Sequence, residues 1–304
     1  MIVTLAGKHD RLRFLLLALT AVFFLVAVFV ISRIMIAGMD TPTEQVHALG
    51  THFFSVPNDV LMFVVVAPLA LGATWVAGWW LRCLAIIYLL LAFAVTESLQ
   101  SRQAIVLFFI GLVVVIALMR PRWSVPALLV GSVIGVAVDA LLGWPLSHKI
   151  FLFPRTYVWQ AAWAMFTDRP WTGQGPGMFK DLYFAFLAKA GYFFQELSDR
   201  RTMPWAHSLY LEQLAERGIP GFMALLYLLG ASMRLAMKSW RQSSSDLMRG
   251  QAAGILAALI VFALAGLAET TLSRIWVTIL LFILTAFSVA MAESLSGKTA
   301  ISHH

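Results

Sequence analysis

The feature that most limits what this chain can fold into is its series of long, unbroken apolar runs. The first extends from Phe14 to about Ala37, directly after Lys8, Arg11 and Arg13. A helix of about 20 apolar residues is long enough to cross the hydrocarbon core of a bilayer. Comparable runs cover 59–77, 79–97, 103–119, 123–142, 207–237, 251–269 and 275–293, which predicts about eight spans. The runs are continuously apolar and do not alternate, which disfavours a β-barrel. Only 12% of the residues are charged, where a soluble domain carries roughly 25%. The expected fold class is an all-α, polytopic helical membrane protein. The first run exceeds the core of about 7–15 residues found in a cleavable signal peptide, so it reads as a retained first helix.

Charge sets the expected orientation. With the N-terminus inside, the cytoplasmic segments carry Lys8, Arg11, Arg13, Arg82, Arg120, Arg122, Arg234, Lys238, Arg241, Arg249 and Lys298. The first outer loop, residues 38–58, has no Lys or Arg and carries Asp40 and Glu44. That asymmetry follows the positive-inside rule and places both termini in the cytoplasm. It also accounts for the net charge of +7 without nucleic acid, for which no binding module is present. The single cysteine, Cys83, excludes an intrachain disulfide and reads as a small buried residue inside an apolar run. The chain divides into N-terminal helices (1–142), a long outer loop (143–206) and C-terminal helices (207–304).

The polar block from Arg155 to Gly221 does not fit lipid-soluble helix. Trp159, Trp163 and Phe166 recur at helical spacing and predict a short amphipathic helix at the membrane interface, which Asp168-Arg-Pro ends. Gly173, Gly175 and Gly177 make a turn-rich segment without the lysine and hydroxyl residue of a phosphate loop, so they read as loop-shaping residues. Tyr183, Phe184, Phe186, Tyr192, Phe193 and Phe194 follow. They read as an interfacial aromatic belt, with a lipid-chain groove as the sharper alternative.

Three residues stand out for chemistry. Arg102 is placed at the outer end of a span, either snorkelling to the interface or serving as a fixed cation beside a polar cavity. Arg33 and Arg274 occupy similar places and read as snorkelling. Arg155 opens the amphipathic helix, where a guanidinium fork suits phosphate oxygens, those of lipid headgroups included. His207 starts the segment that returns to the membrane, in a stretch with Tyr210, Glu212 and Glu216. An imidazole accepts a proton at neutral pH, although a lone histidine is more often structural. His47 and His52 lack zinc-ligand spacing. Neither a metal nor a cofactor is expected.

In this order the residues resemble the O-antigen ligase superfamily, which includes O-antigen and exopolysaccharide polymerases. The pattern is carried by Ser101-Arg102, then Arg155, Trp159 and Ala162, then Pro170, Gly173, Gly175, Gly177 and Phe179. It closes with His207, Ser208, Tyr210, Leu211, Glu216, Gly218, Ile219 and Gly221. Ser208 stands where the family often has asparagine. The resemblance covers about residues 95 to 290. It implies a membrane glycosyltransferase resembling the GT-C class, in the inner membrane of a bacterium, with the long loop periplasmic. The donor would be a glycan on undecaprenyl diphosphate, and the acceptor lipid A–core or another glycan. By resemblance Arg102 and Arg155 hold the diphosphate and His207 acts on the acceptor hydroxyl. Ligase and polymerase branches share these motifs. The rival reading is a transporter or flippase of lipid-linked glycans, which calls for charges near the bilayer midplane and discontinuous helices in paired halves.

Overall fold

A computed structural model of the chain describes residues 9–37, 60–98, 101–141, 155–192, 203, 205–268, 272 and 274–301. The first outer loop with Asp40 and Glu44, and the aromatics Phe193 and Phe194, lie outside them. The described residues form α1 (His9–Ala37), α2 (Leu61–Ala73), α3 (Trp79–Ser98), α4 (Arg102–Met119) and α5 (Ser124–Leu141). Then come α6 (Arg155–Asp168), α7 (Phe179–Lys189), α8 (Leu209–Gln242), α9 (Asp246–Ala265) and α10 (Ile275–Ile301). No strand occurs among the described residues. The chain divides into two compact units. One comprises Met1–Gly135, Ala231–Ala263 and Leu280–His304, the other Val136–Gly230 and Leu264–Ile279.

The first unit is built around α2, which packs against α1, α3 and α4. Twelve of its thirteen residues are buried, all but Leu71. At 1.5 Å per residue it is about 20 Å long, too short for the hydrocarbon layer. A helix that is apolar all round is a buried one, so α2 lies inside its unit. Phe63 meets Phe23 of α1 edge-on at 5.7 Å. Its carbonyl accepts a hydrogen bond from the Tyr88 hydroxyl at 2.9 Å. Glycines let α2 and α9 touch backbone to backbone. A Cβ on Gly254 would lie 2.7 Å from the Pro68 carbonyl oxygen, and one on Gly250 2.7 Å from that of Gly72. Small residues four apart are a common device for close approach of membrane helices.

Among the described residues, five helices are long and apolar enough to cross a membrane: Arg11–Ser32, Trp79–Ser98, Leu209–Gln242, Asp246–Ala265 and Ile275–Leu295. They coincide with five of the expected runs, and the protein is a helical membrane protein. The runs at 103–119 and 123–142 are also helical, as α4 and α5. Exposed apolar side chains are numerous, among them Phe14, Leu25, Leu84, Leu90, Leu129 and Phe282, as suits surface in contact with lipid. Cys83 shares this exposure, which corrects its reading as a buried residue. An apolar run does not reveal which of its faces looks toward lipid.

In the second unit α6 and α7 pack against each other. The buried face of α6 is Val158, Ala161, Ala162 and Met165, the i, i+3, i+4, i+7 stripe of a helix with one core-facing side. Its small alanines leave room for Phe179, Tyr183 and Phe186 of α7. Tyr157 and Tyr192 add an edge-to-face pair at 4.9 Å. These aromatics therefore form a small core, not a belt or a lipid groove. The expected helix at 155–166 is present, but its aromatic ridge does not face that core: Trp163 is exposed and lies 5.1 Å from Phe166.

Candidate functional site

The second unit joins two segments that are about forty residues apart in the chain, and the reason is a break in α8. Gly218 stands at φ 64°, ψ −165°, a region open essentially to glycine alone. Pro220 follows it, and proline has no N–H to give to the carbonyl four residues earlier. The Glu216 carbonyl is therefore left without its helical donor. The Ile219 N–H is also diverted, to the Pro170 carbonyl at 2.8 Å, which frees the carbonyl of Ala215. Buried carbonyls need partners, and the glycine-rich turn supplies both. Gln174 N–H donates to Ala215 at 2.9 Å and Gly175 N–H to Glu216 at 3.0 Å.

The turn can come this close because of its glycines. Gly173, Gly175 and Gly177 have φ of 65°, 111° and 77°. A Cβ on Gly173 would fall 2.3 Å from the Glu216 backbone. The Glu216 carboxylate, buried and paired with Arg217 at 3.4 Å, accepts the Phe179 N–H at 3.2 Å. It thereby satisfies a donor at the start of α7, which has no side-chain cap of its own and whose dipole favours a carboxylate there. Glu216, which the sequence places in the closing motif beside His207 without giving it a role, is thus the link between the two motifs. A glutamate two residues before a helix-breaking glycine was its available signal.

The other end of the turn is tied to α6. The Gln174 side-chain amide donates to the Met165 carbonyl at 2.9 Å and to Asp168 at 3.1 Å. Asp168 also receives Lys189 of α7 at 2.6 Å. The Lys189 and Gln174 hydrogen bonds hold the Asp168 carboxyl below its ordinary value of 3.8. A carboxylate with a depressed folded-state value stabilises the fold above its unfolded value and loses that effect as pH falls through the folded one. The protection of amides in α6 and α7, relative to their intrinsic exchange rate, is therefore expected to decrease as pH drops below 3.8 in the wild type. In Asp168→Asn this acid-dependent step should be missing, and hydrogen exchange measured against pH checks it.

His207 sits at the mouth of α8, half-buried. It has φ 50°, the one positive value outside glycine among the described residues, which costs about 1–3 kcal/mol. Ser208 behind it is buried, and its hydroxyl accepts a long 3.5 Å bond from the Leu211 N–H. Serine and asparagine serve alike at a helix N-cap, so the serine at this position keeps the capping chemistry of asparagine. The Leu209 N–H donates to the Gly266 carbonyl at 2.8 Å, tying the mouth of α8 to the turn after α9. Trp205 lies against the imidazole with ring centroids 5.8 Å apart. Arg274, read from the sequence as a snorkelling residue, lies over Trp205 at 4.5 Å. Arg102 begins α4 in the first unit, and Arg155 begins α6 in the second with His207. The side chains of Arg102, Arg155 and Arg33 lie outside the description.

Residues 84–226 match the family model described as O-antigen ligase. No curated protein matches the chain. The matched stretch takes in Arg102, Arg155 and His207, and it contains both the glycine turn and the break at Gly218, which interlock in space. Ligase-like and polymerase-like membrane enzymes make up this family. Over residues 84–226, a little under half of its length, the chain is similar to the O-antigen ligase family, as its motifs suggest.

Proposed function

We propose that the protein is a glycosyltransferase that moves a glycan from undecaprenyl diphosphate to a hydroxyl acceptor at the periplasmic face of a bacterial inner membrane. The observation that carries this reading is His207: a half-buried imidazole at the mouth of α8, braced by an aromatic ring, inside the stretch matching the family. With lipid A–core as acceptor the reaction is ligation. With a second lipid-linked repeat it is polymerisation.

In the proposed step the acceptor oxygen attacks the anomeric carbon while its proton passes to His207. The bond from that carbon to the diphosphate oxygen breaks, and its electron pair leaves with undecaprenyl diphosphate. One displacement inverts the anomeric centre. A base makes the hydroxyl nucleophilic and contributes about 10²–10⁴-fold. Negative charge grows on the leaving diphosphate, and Arg102 and Arg155 are assigned to it. Fixed donors at such charge are worth about 2.7–4 kcal/mol each. Diphosphate neutralised in this way leaves without a proton. Arg155→Ala is expected to raise the donor KM and lower kcat together, with kcat/KM down by about 10²–10³. Steady-state kinetics over donor concentration checks this.

Membrane sidedness tests the reading as a whole. Cys83 is the single cysteine and is exposed, so single cysteines at 155 and 207 belong in a Cys83→Ala background. An impermeant maleimide added outside spheroplasts should label both positions. Labelling only after the membrane is opened would overturn the assignment.

A further inference from the structure

His207 has a backbone conformation that non-glycine residues rarely adopt, and a base must point its nitrogen in one direction. Its neighbours supply a brace. The Trp205 indole meets the imidazole at 5.8 Å and 60°. The Arg274 guanidinium covers the indole at 4.5 Å. Arg274 arrives from a distant part of the chain, immediately before α10, where its carbonyl accepts the Val277 and Thr278 N–H groups.

Neither residue is where simple stability would put it. A cation at the start of a helix meets the positive end of the dipole, and burial lowers the guanidinium's pKa. Both effects oppose Arg274 at this place, and the indole face is one of the contacts that offset them. Trp205 bears a cost as well. Its N–H is buried and finds no hydrogen-bond partner among the described residues, a penalty that phenylalanine would not incur. What tryptophan offers over phenylalanine is the better π-face for a cation. The ring is thus suited to being held by Arg274 while it touches His207.

We propose that Trp205 and Arg274 are positioning residues that fix the His207 imidazole toward the acceptor hydroxyl, with Arg274 acting through Trp205. The inference rests on the reading of His207 as the base and deepens it. Trp205 is the brace and Arg274 the clamp on the brace. Neither is assigned a contact with substrate.

The test is a mutant cycle on purified, reconstituted protein, using an undecaprenyl-diphosphate glycan and a hydroxyl acceptor. Trp205→Ala should lower kcat roughly 10²-fold, the scale of a small misplacement of a reacting group, with donor KM unchanged. Trp205→Phe, which keeps a ring and folds more readily, should fall between the two. Arg274→Ala should lower kcat about tenfold, Arg274→Lys less, and the Trp205→Ala/Arg274→Ala pair no further than Trp205→Ala alone. In a His207→Ala background Trp205→Ala should change nothing. Wild-type kcat in Trp205→Ala and Trp205→Phe, beside an inactive His207→Ala, would overturn the brace and leave the base assignment standing. Full turnover in His207→Ala would overturn that assignment instead. A raised donor KM at unchanged kcat in Arg274→Ala would make Arg274 a donor-binding cation and overturn its role as a clamp.

Discussion

His207→Ala is expected to lower the rate of glycan transfer by about 10²–10⁴-fold, the contribution of a positioned general base, while donor affinity stays near wild type. The separation follows from the proposed division of labour. In that proposal the imidazole takes the acceptor proton, whereas Arg102 and Arg155 are assigned to the diphosphate. Loss of an interaction made only in the transition state lowers kcat and kcat/KM alike. The substitution also relieves little strain, because alanine at φ 50° is itself disfavoured, so folding should not improve. Single-turnover transfer and equilibrium donor binding, measured on the same preparations, check both halves of the expectation.

Gly218→Val is expected to produce the largest loss of stability. A Cβ there would lie 2.6 Å from the Pro170 carbonyl oxygen and from the Trp171 backbone. The backbone region itself costs a non-glycine residue about 1–3 kcal/mol. The clash then acts on the segment that receives the Ile219 N–H, and losing such a bond costs about 0.5–1.5 kcal/mol more. Together these reach about 1.5–4.5 kcal/mol, a large share of a typical stability of about 5–15 kcal/mol. Hydrogen exchange across residues 169–179 should rise, the melting temperature should fall, and transfer should fail with them. Gly230 offers a control, since a Cβ there meets nothing within 4 Å. Gly230→Ala should melt like wild type.

The helices were legible because apolar length alone dictates them in a membrane. Legibility stopped where the third dimension decided. The run at 59–77 looks like a span, but α2 has thirteen residues and is buried on nearly every side. Cys83 looked buried because its neighbours are apolar, yet in lipid an apolar neighbourhood fits an exposed face equally well. The aromatics of α7 suggested a belt, and the alanines of α6 that admit them to a core were the overlooked half of the pattern. The glycines of the turn announced themselves, whereas their partner did not. Nothing local says that Gln174 and Gly175 will serve carbonyls of Ala215 and Glu216, although Gly218 and Pro220 already imply that those carbonyls need donors. Arg274 and Trp205 are distant in sequence and joined through ring faces, a kind of contact that spacing does not encode.

The central claim is the proposal that this protein breaks the glycosyl–phosphate bond of a lipid-linked donor and makes a glycosidic bond to the acceptor. The direct measurement is made on purified protein in sealed liposomes containing undecaprenyl-diphosphate glycan, with a hydroxyl acceptor outside. Release of undecaprenyl diphosphate and glycosylated acceptor are counted together. The expected result is one equivalent of each, formed at the same rate and both abolished in His207→Ala. Movement of intact donor between leaflets with no glycosylated product would contradict the claim and identify a transporter.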